Sequence, residues 1–188
     1  MTLCYLHGFA SDGGGWKAQA LAQFFPQAKI ISPDLPANPK AVISSTKPLL
    51  EQAERPLFLF GTSLGGFYAY YFSALLHCPA FLFNPSLRPH QTLDRGIGHW
   101  TTFKKGRSYT FKREYLDQLA TLKDEADQLI DPNLLYFYLA EDDDILDLSS
   151  IPNLFPDAAE LKWYPNCGHS FSKFEKVLKE LKQKTILR

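Results

Sequence analysis

Three kinds of residue in this chain of 188 have the types and order that nucleophilic catalysis needs. Ser63 lies in Gly61-Thr62-Ser63-Leu64-Gly65, His169 in Asn166-Cys167-Gly168-His169, and a run of carboxylates falls between them. A neutral hydroxyl is a poor nucleophile. It requires a base within hydrogen-bond reach and a third group that orients the base. His169 is the best base on the chain. His7 lies in a turn that backbone geometry explains, His77 ends the helix expected after Ser63, and His90 and His99 fall in an irregular stretch. The acid is expected after the serine and before the histidine. Glu141, Asp142, Asp143 and Asp144 are all available there, with Asp147 close behind. Several carboxylates cannot be buried together, so most of them must be solvated. Asp143 is preferred because Ile145 and Leu146 follow it back into the core.

The serine pattern gains meaning from its flanks. Leu57-Phe58-Leu59-Phe60 reads as a buried strand, and Phe67 to Leu76 reads as a helix, so Ser63 sits on a strand-to-helix turn. Side chains at positions 61 and 65 are expected to collide with neighbouring backbone. The plainer reading, a glycine-rich turn with no chemistry, explains neither the histidine nor the carboxylates.

Other strands are expected at Thr2–Leu6, Ala28–Ser32, Ala80–Phe83, Leu134–Ala140 and Leu161–Tyr164. Helices are expected at Trp16–Phe25, with Trp16, Ala20, Leu21 and Phe24 on one face, and at Lys40–Glu54, where Pro48 should end or kink the helix. A short helix or loop is expected at Ile151–Ala159. Further helices are expected at Arg113–Ile130 and Phe171–Lys184, the last with five lysines mostly outward. Alternating strands and helices imply one α/β domain over residues 1–188, a mostly parallel six-stranded sheet covered on both faces. Residues 86–130 read as a cap-like excursion after the fourth strand. The His-Gly turn, the serine turn, the acidic turn and the Gly-His turn all follow strands. In parallel sheets chemistry gathers at those carboxyl ends.

Composition narrows the function classes. The chain is 45% hydrophobic with zero formal net charge, an ordinary globular balance that gives nucleic-acid binding no support. No apolar run is long enough to span a membrane. Cys4, Cys78 and Cys167 are too few and too odd in number for a disulfide frame, so reduced thiols in a cytoplasmic protein are expected. No metal-ligand pattern is present, and neither metal nor cofactor is expected.

Several blocks resemble the small bacterial esterases of the YqiA type, in the α/β-hydrolase superfamily. They are Tyr5-Leu6-His7-Gly8-Phe9-x-Ser11, Ser32-Pro33-Asp34-Leu35-Pro36, Gly61 to Ala69, Phe83 to Pro89, Asp143 to Asp147 and Gly168-His169-Ser170-Phe171. The resemblance implies Ser63 as nucleophile, Asp143 as acid and His169 as base, and a sheet that starts at the third strand of larger hydrolases. Where the family commonly has Gly before the acid, this chain has Asp142, a second carboxylate beside the first. The backbone N–H of Leu64 is the first expected oxyanion donor. The second, after the His-Gly pair of similar hydrolases, is that of Phe9.

The expected substrate is a small-molecule acyl ester or acyl thioester of short to medium chain. The same residues would also suit a C–C lyase, an acyltransferase or a non-catalytic binding protein. The sequence sets no oligomeric state. From Thr92 to Arg113 six cations face the single carboxylate Asp94. They are expected either to meet an anionic group of the substrate or, as the plainer reading has it, to form a solvated loop offset by the acids of Asp124–Asp147. Arg88 could pair a substrate carboxylate or anchor the cap to the acidic turn.

Overall fold

The computed structural model describes residues 1–184. Six strands form a sheet in which every neighbouring pair is parallel. They are β1 (Thr2–Leu6), β2 (Lys29–Ile31), β3 (Leu57–Thr62), β4 (Ala80–Phe83), β7 (Leu135–Ala140) and β8 (Glu160–Tyr164), in the order β2-β1-β3-β4-β7-β8. The period-2 alternation of strand side chains divides the core into two layers. Leu3, Tyr5, Phe58, Phe60, Phe81, Phe83 and Tyr138 face α1 (Trp16–Phe24) and α7 (Phe174–Gln183). Cys4, Leu6, Leu57, Leu59, Leu82, Phe137 and Leu139 face α2 (Pro39–Glu51), α3 (Leu64–Leu76) and α5 (Glu114–Leu129). Strand register aligns Phe60 with Phe81 and Phe81 with Tyr136. Their rings stack at 4.7 and 4.6 Å, an aromatic ladder across three strands.

α3 is buried from Leu64 to Ala74. The sheet covers one side and α5 the other, and the hydroxyls of Tyr70 and Tyr71 donate to Asp127 and Glu125 of α5 at 2.6 and 3.1 Å. Part of the acidic stretch therefore serves buried tyrosines.

Four expectations are corrected. α2 runs through Pro48 and stops at Glu51. The missing proline N–H strands one carbonyl, that of Ser44, and both residues are exposed, so water can satisfy it for the single turn that remains. On α1 the buried residues are Lys17, Ala18, Ala20 and Leu21, whereas Trp16 is 49% exposed. α7 starts at Phe174, because Phe171 has φ 56° and breaks the helix while its ring stays in the core. The irregular stretch contains a short helix, α4 (Pro89–Thr92), and an antiparallel hairpin of β5 (Gly98–Thr101) and β6 (Ser108–Phe111). Each hairpin strand has four residues and is largely exposed, so no hydrophobic alternation marks it. α6 (Ile151–Leu154) completes the elements.

The hairpin is held by one ring and one carboxylate. Phe9 meets Trp100, Tyr109 and Phe111 edge-on at 5.1, 5.9 and 5.3 Å. The buried Asp12 accepts from the Lys104 and Lys105 amides at 3.1 and 2.9 Å, and from Arg107 Nε and Nη2 at 3.0 and 2.7 Å. Lys105 and Arg107 also reach Asp34, at 2.8 and 3.2 Å. These cations are matched by Asp12 and Asp34, not by the acids of Asp124–Asp147. Arg88 is exposed, and it is Arg95 Nη2 that ties the excursion to the acidic turn, donating to the Ile145 carbonyl at 3.1 Å.

Burial raises the Asp12 pKa, but the amides and Arg107 outweigh it and hold the carboxyl well below its ordinary value of 3.8. Asp12→Ala is expected to lower stability by about 2 kcal/mol, because two amides and a guanidinium lose their acceptor. Since the folded pKa is depressed, this contribution is complete above pH 3.8 and lost as pH falls through the folded value. Urea titrations of wild type and D12A should differ at pH 7 and converge in acid.

Candidate active site

Ser63 sits where β3 becomes α3. Its backbone has φ 55° and ψ −123°, a conformation costing about 1–3 kcal/mol for a non-glycine residue. Neighbouring backbone holds it there: Ser63 N donates to the Phe83 carbonyl at 3.1 Å, and the Ser63 carbonyl accepts from Ser86 N at 3.0 Å. The flanking glycines are sterically required. A Cβ on Gly65 would run into the Leu6 carbonyl and lie 2.6 Å from that of His7, and one on Gly61 would lie 2.7 Å from Gly66 N. Although Ser63 is the N-cap residue of α3, its hydroxyl makes no capping bond. It points to His169 instead.

The Ser63 hydroxyl lies 3.0 Å from His169 Nε2. His169 Nδ1 lies 2.8 and 3.0 Å from the two carboxylate oxygens of Asp143. Because a carboxylate can only accept, Nδ1 carries the proton and Nε2 presents its lone pair to the serine. Burial pushes the Asp143 carboxyl up, but its bonds to His169 and to the Leu146 and Ile145 amides outweigh this and hold it below the ordinary carboxylate value. The Asp143 side chain is 2% exposed, and these bonds favour its ionised form although it is largely shielded from water.

Asp142 turns the other way. It accepts from the Cys167 and Gly168 amides at 2.8 and 3.1 Å, and these bonds lower its pKa. Of the two adjacent carboxylates, Asp143 meets the imidazole and Asp142 fixes the loop that carries it. Asn84, not singled out by sequence, closes the same loop. Its Nδ2 donates to the Gly168 and His169 carbonyls, both at 3.0 Å, and its Oδ1 accepts from Ala140 N at 2.7 Å. Its signal was an Asn-Pro pair directly after a strand.

The other histidines are elsewhere. His7 Nδ1 donates to the Gly8 carbonyl and Nε2 accepts from Leu35 N, both at 2.9 Å, a neutral ring that pins the chain after β2. His77 ends α3 in the left-handed region, and His99 bonds Thr110 on the hairpin. His90 lies on α4, with Nδ1 buried and without a hydrogen-bond partner.

Gly8, Phe9 and Leu64 border the serine, and a Cβ on Gly8 would lie 3.5 Å from Ser63 Cβ. The turn after β1 is therefore pressed against the elbow. Neither the Phe9 nor the Leu64 amide is engaged by a loop or side-chain acceptor among the described residues. Ser63 and His169 open onto a cavity of about 480 Å³, walled by Phe9, Trp16, Leu93, Trp100, Phe103 and Ile145. Lys17 also lines it, a residue whose place on the i, i+3, i+4, i+7 stripe with Ala20, Leu21 and Phe24 was the overlooked signal. No cluster of three or more His, Cys, Asp or Glu is placed to hold a metal among the described residues, and no described helix is long and apolar enough to cross a membrane. All three cysteines are free and buried.

This architecture is the α/β-hydrolase fold. Est1E from Butyrivibrio proteoclasticus superposes with a TM-score of 0.68 at 13% identity, covering 97% of this chain and 85% of that one. A monoacylglycerol lipase from Paleococcus ferrophilus gives 0.70 at 12% identity, over 97% and 92%. The methylesterase MES16 from Arabidopsis gives 0.63 at 14% identity, over 97% and 98%. The chain itself belongs to the uncharacterised protein family UPF0227, the YqiA family, whose pattern matches residues 2–185.

Asn84→Ala would remove three hydrogen bonds made from a fully buried position, leaving the His169 carbonyl and the Ala140 amide unpaired while the Gly168 carbonyl keeps Phe171 N. A loss of about 3 kcal/mol in a denaturant titration is expected.

Proposed function

We propose that this protein is a serine hydrolase that cleaves carboxylic esters or thioesters of short to medium acyl chains. The carrying observation is the unbroken line from Ser63 Oγ through His169 to Asp143, with contacts of 3.0 and 2.8 Å, at the edge of an open cavity. The cavity volume lies in the range of small-molecule sites. The esterases and lipases that share the fold support the same reading.

His169 Nε2 takes the Ser63 proton as Oγ attacks the acyl carbonyl carbon. The carbonyl oxygen becomes an oxyanion held by the Leu64 and Phe9 amides, the first at the positive end of α3. The tetrahedral intermediate collapses, the bond to the leaving alkoxide or thiolate breaks, and His169 returns the proton to it. Water then loses a proton to His169 and attacks the acyl-enzyme, which releases the acid and restores the serine. Asp143 holds the imidazole tautomer and stabilises its charged form throughout. Residues 86–130 act as a cap, with the hairpin and α4 forming one wall of the substrate site. A cytoplasmic setting fits the free, buried thiols.

Activity on short-chain p-nitrophenyl esters tests the assignment. Ser63→Ala and Asp143→Asn should each lower kcat by about 10⁴-fold or more, whereas Asp142→Asn should change it by less than about tenfold. Equal activity of S63A and wild type would refute the proposal. Equal losses in D142N and D143N would refute the division of labour between the two carboxylates.

A further inference from the structure

The cavity also contains a buried lysine with no counter-ion. Lys17 is 5% exposed, and its Nζ donates to Thr62 Oγ1 at 2.9 Å and to the Ser170 carbonyl at 2.5 Å. Both acceptors are uncharged. Among the described residues no carboxylate lies within ion-pair distance of Nζ. Asp12, which shares the cavity wall, is already engaged by Arg107 and two amides. The Trp16 and Phe174 rings, with centroids 5.4 and 5.5 Å from Nζ, are the only cation–π partners of Lys17 among the described residues. Burial pulls the ammonium down to about 7.

An unpaired buried charge is costly. A simple tether between Thr62 and Ser170 could be made by a neutral amide side chain without that cost. In its charged form the amine has three donors, and the chain engages two of them; a carboxylate placed at the third would favour that form. Its position is also informative. Thr62 immediately precedes Ser63, and Ser170 immediately follows His169, so the amine stands beside the proposed reacting pair. The other cation on the cavity wall among the described residues is Arg95, which is exposed and bonds a carbonyl, whereas the carboxylate of Asp12 on that wall is already engaged by Arg107.

We propose that Lys17 selects esters bearing a carboxylate within a few bonds of the scissile carbonyl, the substrate supplying the counter-ion that the chain omits. This assignment rests on the hydrolase reading above and adds a substrate class to it. At this buried amine, a carboxylate on the third ammonium donor makes a charge-assisted hydrogen bond. It stabilises the cation and orients the substrate toward Ser63.

The test compares two matched pairs of esters by acid release. Monoethyl succinate against ethyl butyrate places the charge on the acyl side, and O-butyryl glycolate against ethyl butyrate places it on the leaving group. In at least one pair the wild-type kcat/KM should favour the charged ester at least tenfold. The ratio should collapse toward one in Lys17→Met and be largely kept in Lys17→Arg. A wild-type enzyme without preference in either pair overturns the assignment, whether or not any variant folds. A K17M variant that slows both members of a pair by one factor, leaving the ratio intact, also overturns it and leaves Lys17 as a brace. Failure of the hydrolase reading looks different: S63A would turn over all the esters as fast as wild type does, or wild type would turn over none, and the assignment would fall with that reading.

Discussion

Gly65 lies so close to the carbonyl oxygens of Leu6 and His7 that no side chain fits between them. That approach clamps the first turn of α3 onto the end of β1. β1 and β3 are sheet neighbours with Leu6 opposite Gly61, so the turn after β1 and the serine turn emerge side by side. The remaining features of the site depend on this closeness. It presses Gly8 against Ser63 and brings Phe9 and Leu64 to the wall of one cavity. A single methyl group at position 65 would lift the helix away from both.

The turn after β1 has a second role. Its Phe9 ring seats Trp100, Tyr109 and Phe111, and Asp12 a little further on binds the hairpin backbone and Arg107. The hairpin is too short and too exposed to be stable alone. It borrows its stability from the segment that borders the serine. Cavity wall and proposed oxyanion donor therefore share one anchor, and a change in hairpin packing would be felt at the Phe9 backbone.

The loop carrying His169 shows how much backbone restraint one side chain requires. Asn166, Gly168 and Phe171 all have positive φ within six residues, which glycine adopts freely but which surrounding structure must maintain at Asn166 and Phe171. Asp142 holds two of the loop amides and Asn84 two of its carbonyls. Phe171, fully buried against Phe83 and Tyr164 at 5.0 and 5.5 Å, weighs the far end down with apolar contact. The imidazole is thus aligned mainly through its backbone, and the Asp143 carboxylate completes the alignment at the ring.

Much of this was legible in residue order alone. Strand-length apolar runs alternating with helical spacing defined the parallel sheet, because hydrophobic period and turn sterics act over a few residues. The glycines around Ser63 and the positions of Asp143 and His169 after later strands were readable for the same reason. Only the tertiary structure decided the rest. Which of Asp142 and Asp143 faces the imidazole depends on how the turn after β7 meets the loop after β8, a relation across 26 residues that exists once those strands pair. Lys17 acquires its partners only where α1 packs it under Thr62 and Ser170. The cations of the hairpin read as offset by the acids of Asp124–Asp147, whereas the fold brought Asp12 and Asp34 to Arg107 and Lys105 from 95 and 71 residues away. Local pattern specifies elements, but a buried charge takes its meaning from neighbours that only the packed sheet supplies.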